Sequence, residues 1–272
     1  MKKQGIVLTV LILLSAATVT PAQEGGLGVT ADVTWVSKYL WYGVDKLDDK
    51  AAWQPSVNVD LFGTGFNVGV FASYAGTSKH GGAVSTVNAT EYRYIVGYSQ
   101  TFFEGQTYQA DATVNWIYYD LIDNPDKGDR TGTFGDAQQI GLTVSLPQLC
   151  PAGFVPSYHV AAIWPDESGS RLGTRYNGWV HVFGVGKDVT VPGILPETPE
   201  QVLHLSGAAV FNDGFAGVNK DWSHALFGVS TDFEIAENVA FTPAVYYQSS
   251  WEDTANTEDE WWTSLGVSYK FK

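Results

Sequence analysis

The sequence predicts an all-β protein, a single transmembrane antiparallel up-and-down β-barrel of about twelve strands. Apolar and polar residues alternate with period two along most of the chain, which puts one apolar and one polar face on each extended segment. The connections between these segments alternate between short and long, the asymmetry of a barrel with turns on one side of a bilayer and loops on the other. Aromatic residues are abundant, with 10 Trp, 14 Tyr and 14 Phe beside 29 Gly and one Met, as strands ending at a lipid interface require. The remaining composition sets bounds. A hydrophobic content of 44% excludes a disordered chain. Fifteen basic residues against 29 acidic give a net charge of −14, which argues against a nucleic-acid partner. The single cysteine, Cys150, excludes an internal disulfide and a thiolate-based zinc cluster.

The chain divides into residues 1–22, read as a signal peptide, and residues 23–272, the barrel domain. Lys2 and Lys3 precede an almost wholly apolar run from Ile6 to Ala17, and Thr20-Pro21-Ala22 supplies small residues for cleavage. That run is too short to span a bilayer as a helix. Export removes two lysines and leaves a mature charge of about −16, from 13 basic and 29 acidic residues. No later stretch is apolar for long enough to make a membrane helix.

Twelve strands follow in order, near 28–42, 52–62, 66–75, 90–102, 107–119, 138–146, 155–164, 176–187, 201–211, 222–233, 239–249 and 260–271. In the second, Trp53, Pro55, Val57, Val59 and Leu61 oppose Gln54, Ser56, Asn58 and Asp60. Phe62-Gly63-Thr64-Gly65 supplies turn chemistry before Phe66, Val68, Val70 and Tyr74 resume the pattern. The fifth opposes Val114, Trp116 and Tyr118 to Asp111, Thr113 and Asn115, and the twelfth closes on Val267, Tyr269 and Phe271. Short turns are expected near 63–65, 103–106 and 234–238, somewhat longer ones at 147–154 and 188–200. Long polar loops are expected at 43–51, 76–89, 120–137, 165–175, 212–221 and 250–259. A soluble sandwich alternates too. Its core would have to bury Asp32, Asp60, Glu91, Arg93, Asp111 and Asp232, each costly in a dry interior, whereas a watery lumen accepts them.

The opening Val29-Thr-Ala-Asp-Val-Thr-Trp-Val-Ser-Lys-Tyr-Leu-Trp-Tyr-Gly43, then Trp53-Gln-Pro-Ser-Val-Asn-Val-Asp60 and Phe66-Asn-Val-Gly-Val-Phe-Ala-Ser73, resembles the TorF-like group of bacterial outer-membrane porins. The ending on Phe271 is similar to the signal read by the barrel-assembly machinery, although Lys272 follows the aromatic. The resemblance covers about the first fifty mature residues. It implies membership of an outer-membrane group whose substrates are mostly unassigned. The expected partners are outer-membrane lipids, the assembly machinery during insertion and small hydrophilic solutes, with no cofactor.

The leading functional reading is a non-enzymatic, porin-like channel for passive diffusion of small hydrophilic solutes, biased toward cations. Threading from the periplasm places Asp32, Asp60, Asp111 and Asp232 low on their strands and on the polar parity, where a ring of carboxylates would favour cations. Lys270 is expected beside Asp32, where the first and last strands pair. Glu91 and Arg93 lie higher, as an ion pair or a constriction. Phe71, Ile117, Tyr119, Tyr246 and Trp262 point inward and could narrow the passage. His159, His204 and His224 share the polar parity, and His181 fits either face; their differing heights argue against a metal centre. For catalysis, Asp221, Ser223 and His224 are neighbours in sequence, but alternation sends Ser223 and His224 to opposite faces and prevents a triad. Asp123–Asp129 has calcium-loop composition with the wrong spacing. Two alternatives stand beside the channel: a barrel enzyme acting on lipid or peptide, and a closed structural or adhesin barrel using acidic loops that include Glu252, Asp253, Glu258, Asp259 and Glu260.

Overall fold

A computed structural model describes residues 26–47, 49–75, 90–121, 136–166, 177–195, 198–251 and 255–271. Residues 1–22, expected to be a signal peptide, lie outside the described residues, as do Asp123–Asp129, Glu252, Asp253 and Lys272. Twelve strands close an antiparallel barrel: β1 (Gly28–Val36), β4 (Ala52–Asp60), β5 (Phe66–Ala75), β6 (Glu91–Phe102), β7 (Ala110–Leu121), β8 (Ala137–Ser145), β9 (Phe154–Pro165), β10 (Gly178–Leu195), β11 (Thr198–Asp213), β12 (Asp221–Thr231), β14 (Val239–Ser250) and β15 (Glu260–Lys270). β1 pairs with β15 from Thr30↔Lys270 to Val36↔Ser264, which seals the ring. No helix among the described residues is long and apolar enough to cross a membrane, which bears on helices alone.

Two prolines shape the ladders. Pro243 has no N–H to donate, and the β12 ladder stops at Ser230↔Ala244. It resumes in the same register as β13 (Phe233–Ala236) at Phe233↔Phe241. Pro55 leaves the same gap between Trp53↔Tyr74 and Ser56↔Phe71. At the turn end, Phe62 and Gly63 both take positive φ, and Asp60 Oδ1 accepts the Gly63 N–H at 2.7 Å, so the carboxylate at the end of β4 fixes the hairpin that follows it.

The predicted outer parity is the observed one. Every barrel strand exposes a large apolar side chain outward, among them Val33, Val57, Val70, Val96, Ile140, Phe227 and Leu265. A belt of that extent calls for lipid rather than water against it. Aromatic pairs flank the belt at both ends. Tyr247 and Trp261 lie 4.5 Å apart toward the loops, and Phe66 and Tyr98 lie 4.8 Å apart toward the turns.

Several expected boundaries change. The first strand ends at Val36 rather than at 42, because Ser37 N–H bonds Thr263 O at 2.9 Å and the chain then turns into the barrel. Residues 43–51 are therefore no outer polar loop: Leu40–Trp41 (β2) and Val44–Asp45 (β3) form a small hairpin inside the lumen. The 188–200 connection is mostly strand, since β10 and β11 run 18 and 16 residues and pair with each other past the ends of β9 and β12. The 212–221 loop is also shorter than expected; β11 continues to Asp213, and the short 3-10 turn Phe215–Gly217 folds back inward.

Candidate functional site

The hairpin that enters the lumen is built by its own sequence. Tyr42 and Gly43 form its tip with φ of 48° and 85°, the pair of left-handed residues that a two-residue hairpin turn demands. Asp45 accepts the N–H groups of Leu47 at 3.0 Å and Asp49 at 2.6 Å, which bends the returning chain outward. Lys46 N–H bonds Tyr39 O at 2.8 Å and closes the base. Five of its residues are strongly apolar or aromatic (Tyr39, Leu40, Trp41, Tyr42 and Leu47), and all five are buried. Five residues of such character so close in sequence cannot remain in water without cost, and the barrel interior is the nearest place to bury them.

Polar contacts hold the hairpin in place. Glu91 lies between three partners. Its Oε1 accepts Arg93 Nε at 2.6 Å and the Tyr39 hydroxyl at 2.9 Å, and its Oε2 meets Lys46 Nζ at 2.9 Å. Arg93 also donates to Tyr39, and its guanidinium lies 4.6 Å from the Phe71 ring and 4.9 Å from that of Tyr119. Arg93 and Glu91 are each 1% exposed. Burial pushes the Lys46 ammonium down from its ordinary value while Glu91 pulls it up; burial raises the Tyr39 and Tyr42 phenols, so both remain neutral. At the tip, the Tyr42 hydroxyl reaches Gln139 Oε1 at 3.3 Å and His159 Nε2 at 3.2 Å, and Tyr119 donates to the same Gln139 oxygen at 2.7 Å. Trp41 meets the edge of Phe215 at 5.0 Å and Tyr119 at 5.1 Å. The root is fastened to the barrel seam, where Lys38 pairs with Glu260 at 2.6 Å and with Asp49, both of which hold its ammonium above the ordinary range.

The consequence is a lumen filled at this level. One inward side chain from every barrel strand is buried there: Val36, Gln54, Phe71, Arg93, Tyr119, Gln139, Ile163, Val182, Val210, His224, Gln248 and Trp262. A water-filled passage would leave them wet. The expected constriction by Phe71, Ile117, Tyr119, Tyr246 and Trp262 is thus present, completed by a plug that spacing alone did not show. Glu91 and Arg93 are the predicted ion pair, and His159 faces the lumen as expected, held by Thr143 at 2.9 Å and by Tyr42. Gly43 leaves no room for change. A Cβ there would stand 2.7 Å from His224 Cε1, at a φ that L side chains resist. Gly43→Ala should cost about 1–3 kcal/mol and lower the temperature at which the folded band is lost on unboiled gels; an unshifted transition would mean the tip is not anchored there.

Below the plug the lumen is polar. Asp32, Asp60, Asp111 and Asp232 lie at the turn end, as expected, but each has local duties. Asp32 accepts the Thr34 hydroxyl at 2.9 Å, Asp60 caps its turn, Asp111 accepts Thr101 at 2.8 Å and Asp232 accepts Thr242. Lys270 stands opposite Thr30, one inward position from Asp32, and the described residues show no ion pair between the two. Its charge bears on Asp232 instead.

The structure resolves the face of His181 and corrects one expectation about catalysis. His181 points outward and hydrogen-bonds Tyr158 at 2.7 Å, because the plug makes the lumen apolar at that height and Val180 and Val182 take the inner face. Ser223 and His224 do share a face: the register shifts between Val210 and Phe211, and the bulge turns both inward, with Ser223 Oγ 2.9 Å from His224 Nδ1. Asp221 is exposed and caps the Trp222 N–H, so it does not join them. Of the acid-rich outer loop, Asp259 accepts the Tyr247 hydroxyl and the Ser250 N–H.

No protein-family description and no curated protein matches this chain in sequence. In shape it is similar to solved porin-type barrels. The NanC porin aligns over 89% of this chain and 100% of its own at 9% identity, with a TM-score of 0.51. The KdgM porin, solved in complex with disordered oligogalacturonate, aligns over 89% and 99% at 8% identity, TM-score 0.52. An outer membrane channel from Pseudomonas putida F1 aligns over 92% and 96% at 10% identity, TM-score 0.55. At such identities the likeness is one of fold: the chain has a porin-like, outer-membrane-type β-barrel fold.

Proposed function

We propose that the protein is a gated outer-membrane channel for passive diffusion of small hydrophilic solutes, biased toward cations, with the hairpin of residues 39–47 as its gate. In this reading residues 1–22 direct export, the assembly machinery inserts residues 23–272 into the outer membrane, the turn end faces the periplasm and lipid covers the apolar belt. The observation that carries it is that one short segment fills the outer half of an otherwise polar lumen, held at its tip by hydrogen bonds and nearer its base by ion pairs. Such contacts can be exchanged for water, whereas a core knitted from every strand could not leave as a unit. The resemblance to TorF-like porins and the porin-like fold support the same reading.

Asp32, Asp60, Asp111 and Asp232 supply the cation bias. In planar bilayers under a KCl gradient, the open channel should show a cation-selective reversal potential, and replacing all four by Asn should move it toward zero. Selectivity that survives the four replacements would reduce these residues to turn caps and strand ties. The filled outer half also favours a second reading, a permanently closed barrel that acts through its outer loops. A barrel that stays silent after the hairpin is removed would select it.

A further inference from the structure

The wall that the hairpin tip covers holds polar atoms that the tip does not satisfy. On one side of residues 42 and 43 stand Gln139 and His159, which meet the Tyr42 hydroxyl. On the other stand His224, too close to Gly43 to admit a Cβ, and Gln248, whose Nε2 donates to Gly43 O at 3.4 Å. Gln139 Nε2, His224 Nε2 and Gln248 Oε1 are buried with no hydrogen-bond partner among the described residues. The three side chains are at most 1% exposed. Unpaired buried polar atoms are costly and few in native proteins. Three of them around one two-residue tip mark a surface shaped for more hydrogen bonds than the tip supplies. An amide Nε2 only donates and an amide Oε1 only accepts, so the missing partner must do both. A hydroxyl does both; a carboxylate only accepts. Beside these groups lies an aromatic platform: Tyr246 and Trp262 stack at 5.2 Å and 26°, and Leu40 of the hairpin packs on them. A small cavity opens against this pair, lined also by Ser206, Ala208 and Leu226. Flat rings with a few aimed polar groups are the usual make-up of a small-molecule site.

We propose that the outer lumen under the hairpin tip is a binding site for a neutral saccharide, and that the bound sugar holds the hairpin out. Its hydroxyls take over Gln139, His224 and Gln248, and its ring lies on Tyr246 and Trp262 in place of Leu40. The inference rests on the gating reading and gives that gate a ligand. A sugar that competes with residues 40–43 for the same groups binds the open state alone and shifts the population toward it. Charge decides against an acidic sugar. Arg93 and Lys46 are both bonded to Glu91, and Lys46 leaves with the hairpin, so neither awaits an anion. The inner mouth offers no comparable opening. His204 there is held between Asp188 at 2.8 Å and Asp232 at 3.5 Å, so its two ring nitrogens already face carboxylate partners.

The test uses the barrel refolded in a detergent without a sugar head group and placed in planar bilayers in KCl. Maltose should raise the open probability of the native chain, and glucuronate at the same concentration should not. In a chain whose residues 38–50 are replaced by a Gly-Ser bridge, no hairpin remains to displace, and maltose should instead interrupt the current briefly. In that background Q139M and Q248M should each raise the maltose concentration for half-maximal interruption by about tenfold. Reading them without the hairpin separates lost sugar binding from lost anchoring of the tip. Heat-modifiable migration confirms that each variant is folded, and either one carries the test if the other is not. Four results overturn the inference and leave the gate standing: a conducting hairpin-less barrel that maltose does not interrupt, interruption unchanged by both replacements, an equal response to glucuronate, or a native open probability that maltose leaves unmoved. A hairpin-less barrel that stays silent overturns the gate and this inference together.

Discussion

A chain in which residues 38–50 are replaced by a short Gly-Ser bridge should conduct where the native chain is mostly closed. The excised hairpin supplies Tyr39, Trp41, Tyr42 and Lys46, the side chains that cover Glu91, Arg93, Gln139 and His159. Twelve strands at the usual spacing and tilt enclose a backbone cylinder roughly 24 Å across, wide enough after inward side chains for a wet passage. The barrel ladders do not pass through the excised segment, since Val36 and Ala52 pair directly with each other across β1 and β4, so closure should survive. Liposome swelling with a small sugar should rise by roughly tenfold or more, with discrete current steps in bilayers. Equal permeability before and after excision would remove the hairpin from any gating role.

Glu91→Ala should come next in size. It leaves the Arg93 and Lys46 cations facing each other without the carboxylate that joins them, in a place with almost no water. Breaking a buried pair from one side costs about 3–5 kcal/mol. If the cost falls on the plugged state, the ratio of plugged to open barrels drops by about 10²- to 10⁴-fold. Lys46→Met alone should do far less, because Glu91 keeps Arg93 and Tyr39. Combined with Glu91→Ala it should recover part of the loss, since one of the two opposed cations is gone. Open probability in bilayers reads all three. A Glu91→Ala barrel as closed as the native one, and as stable to heat, would mean that the hairpin is held by its aromatics alone.

The barrel was legible in the sequence because period two survives wherever one face meets lipid and the other does not. Val57, Val70, Val96 and Leu265 fall outward as their parity says. The aspartates of the inner mouth were legible for the same reason. The plug was not, because Ser-Lys-Tyr-Leu-Trp-Tyr-Gly reads equally as the end of a strand. The available signal was the failure of alternation after Ser37: Tyr39 through Tyr42 are consecutive and apolar-leaning, and no strand with one wet face has a use for that. His181 was ambiguous because its inner neighbours, Val180 and Val182, face a dry lumen, and dryness came from the unseen plug. Ser223 and His224 share a face through a bulge, a one-residue insertion that no periodicity reports. The pairing of Asp188 with His204 depended on β10 and β11 outrunning their neighbours, where Pro and Gly suggested a turn.

The fastening of the hairpin's root to the seam bears on the order in which the chain folds. Residues 37–47 lie early in the chain, yet Ser37 and Lys38 are tied to Thr263 and Glu260 on the last strand. The tip needs Gln139, His159, Phe215 and Gln248, from the middle and end of the chain. Contacts that span so much sequence form late, because the loops they close must be ordered first. The hairpin is therefore the last element to settle, and ring closure and lumen filling form one terminal event. A barrel arrested before β15 docks would be an open trough with an unburied aromatic hairpin.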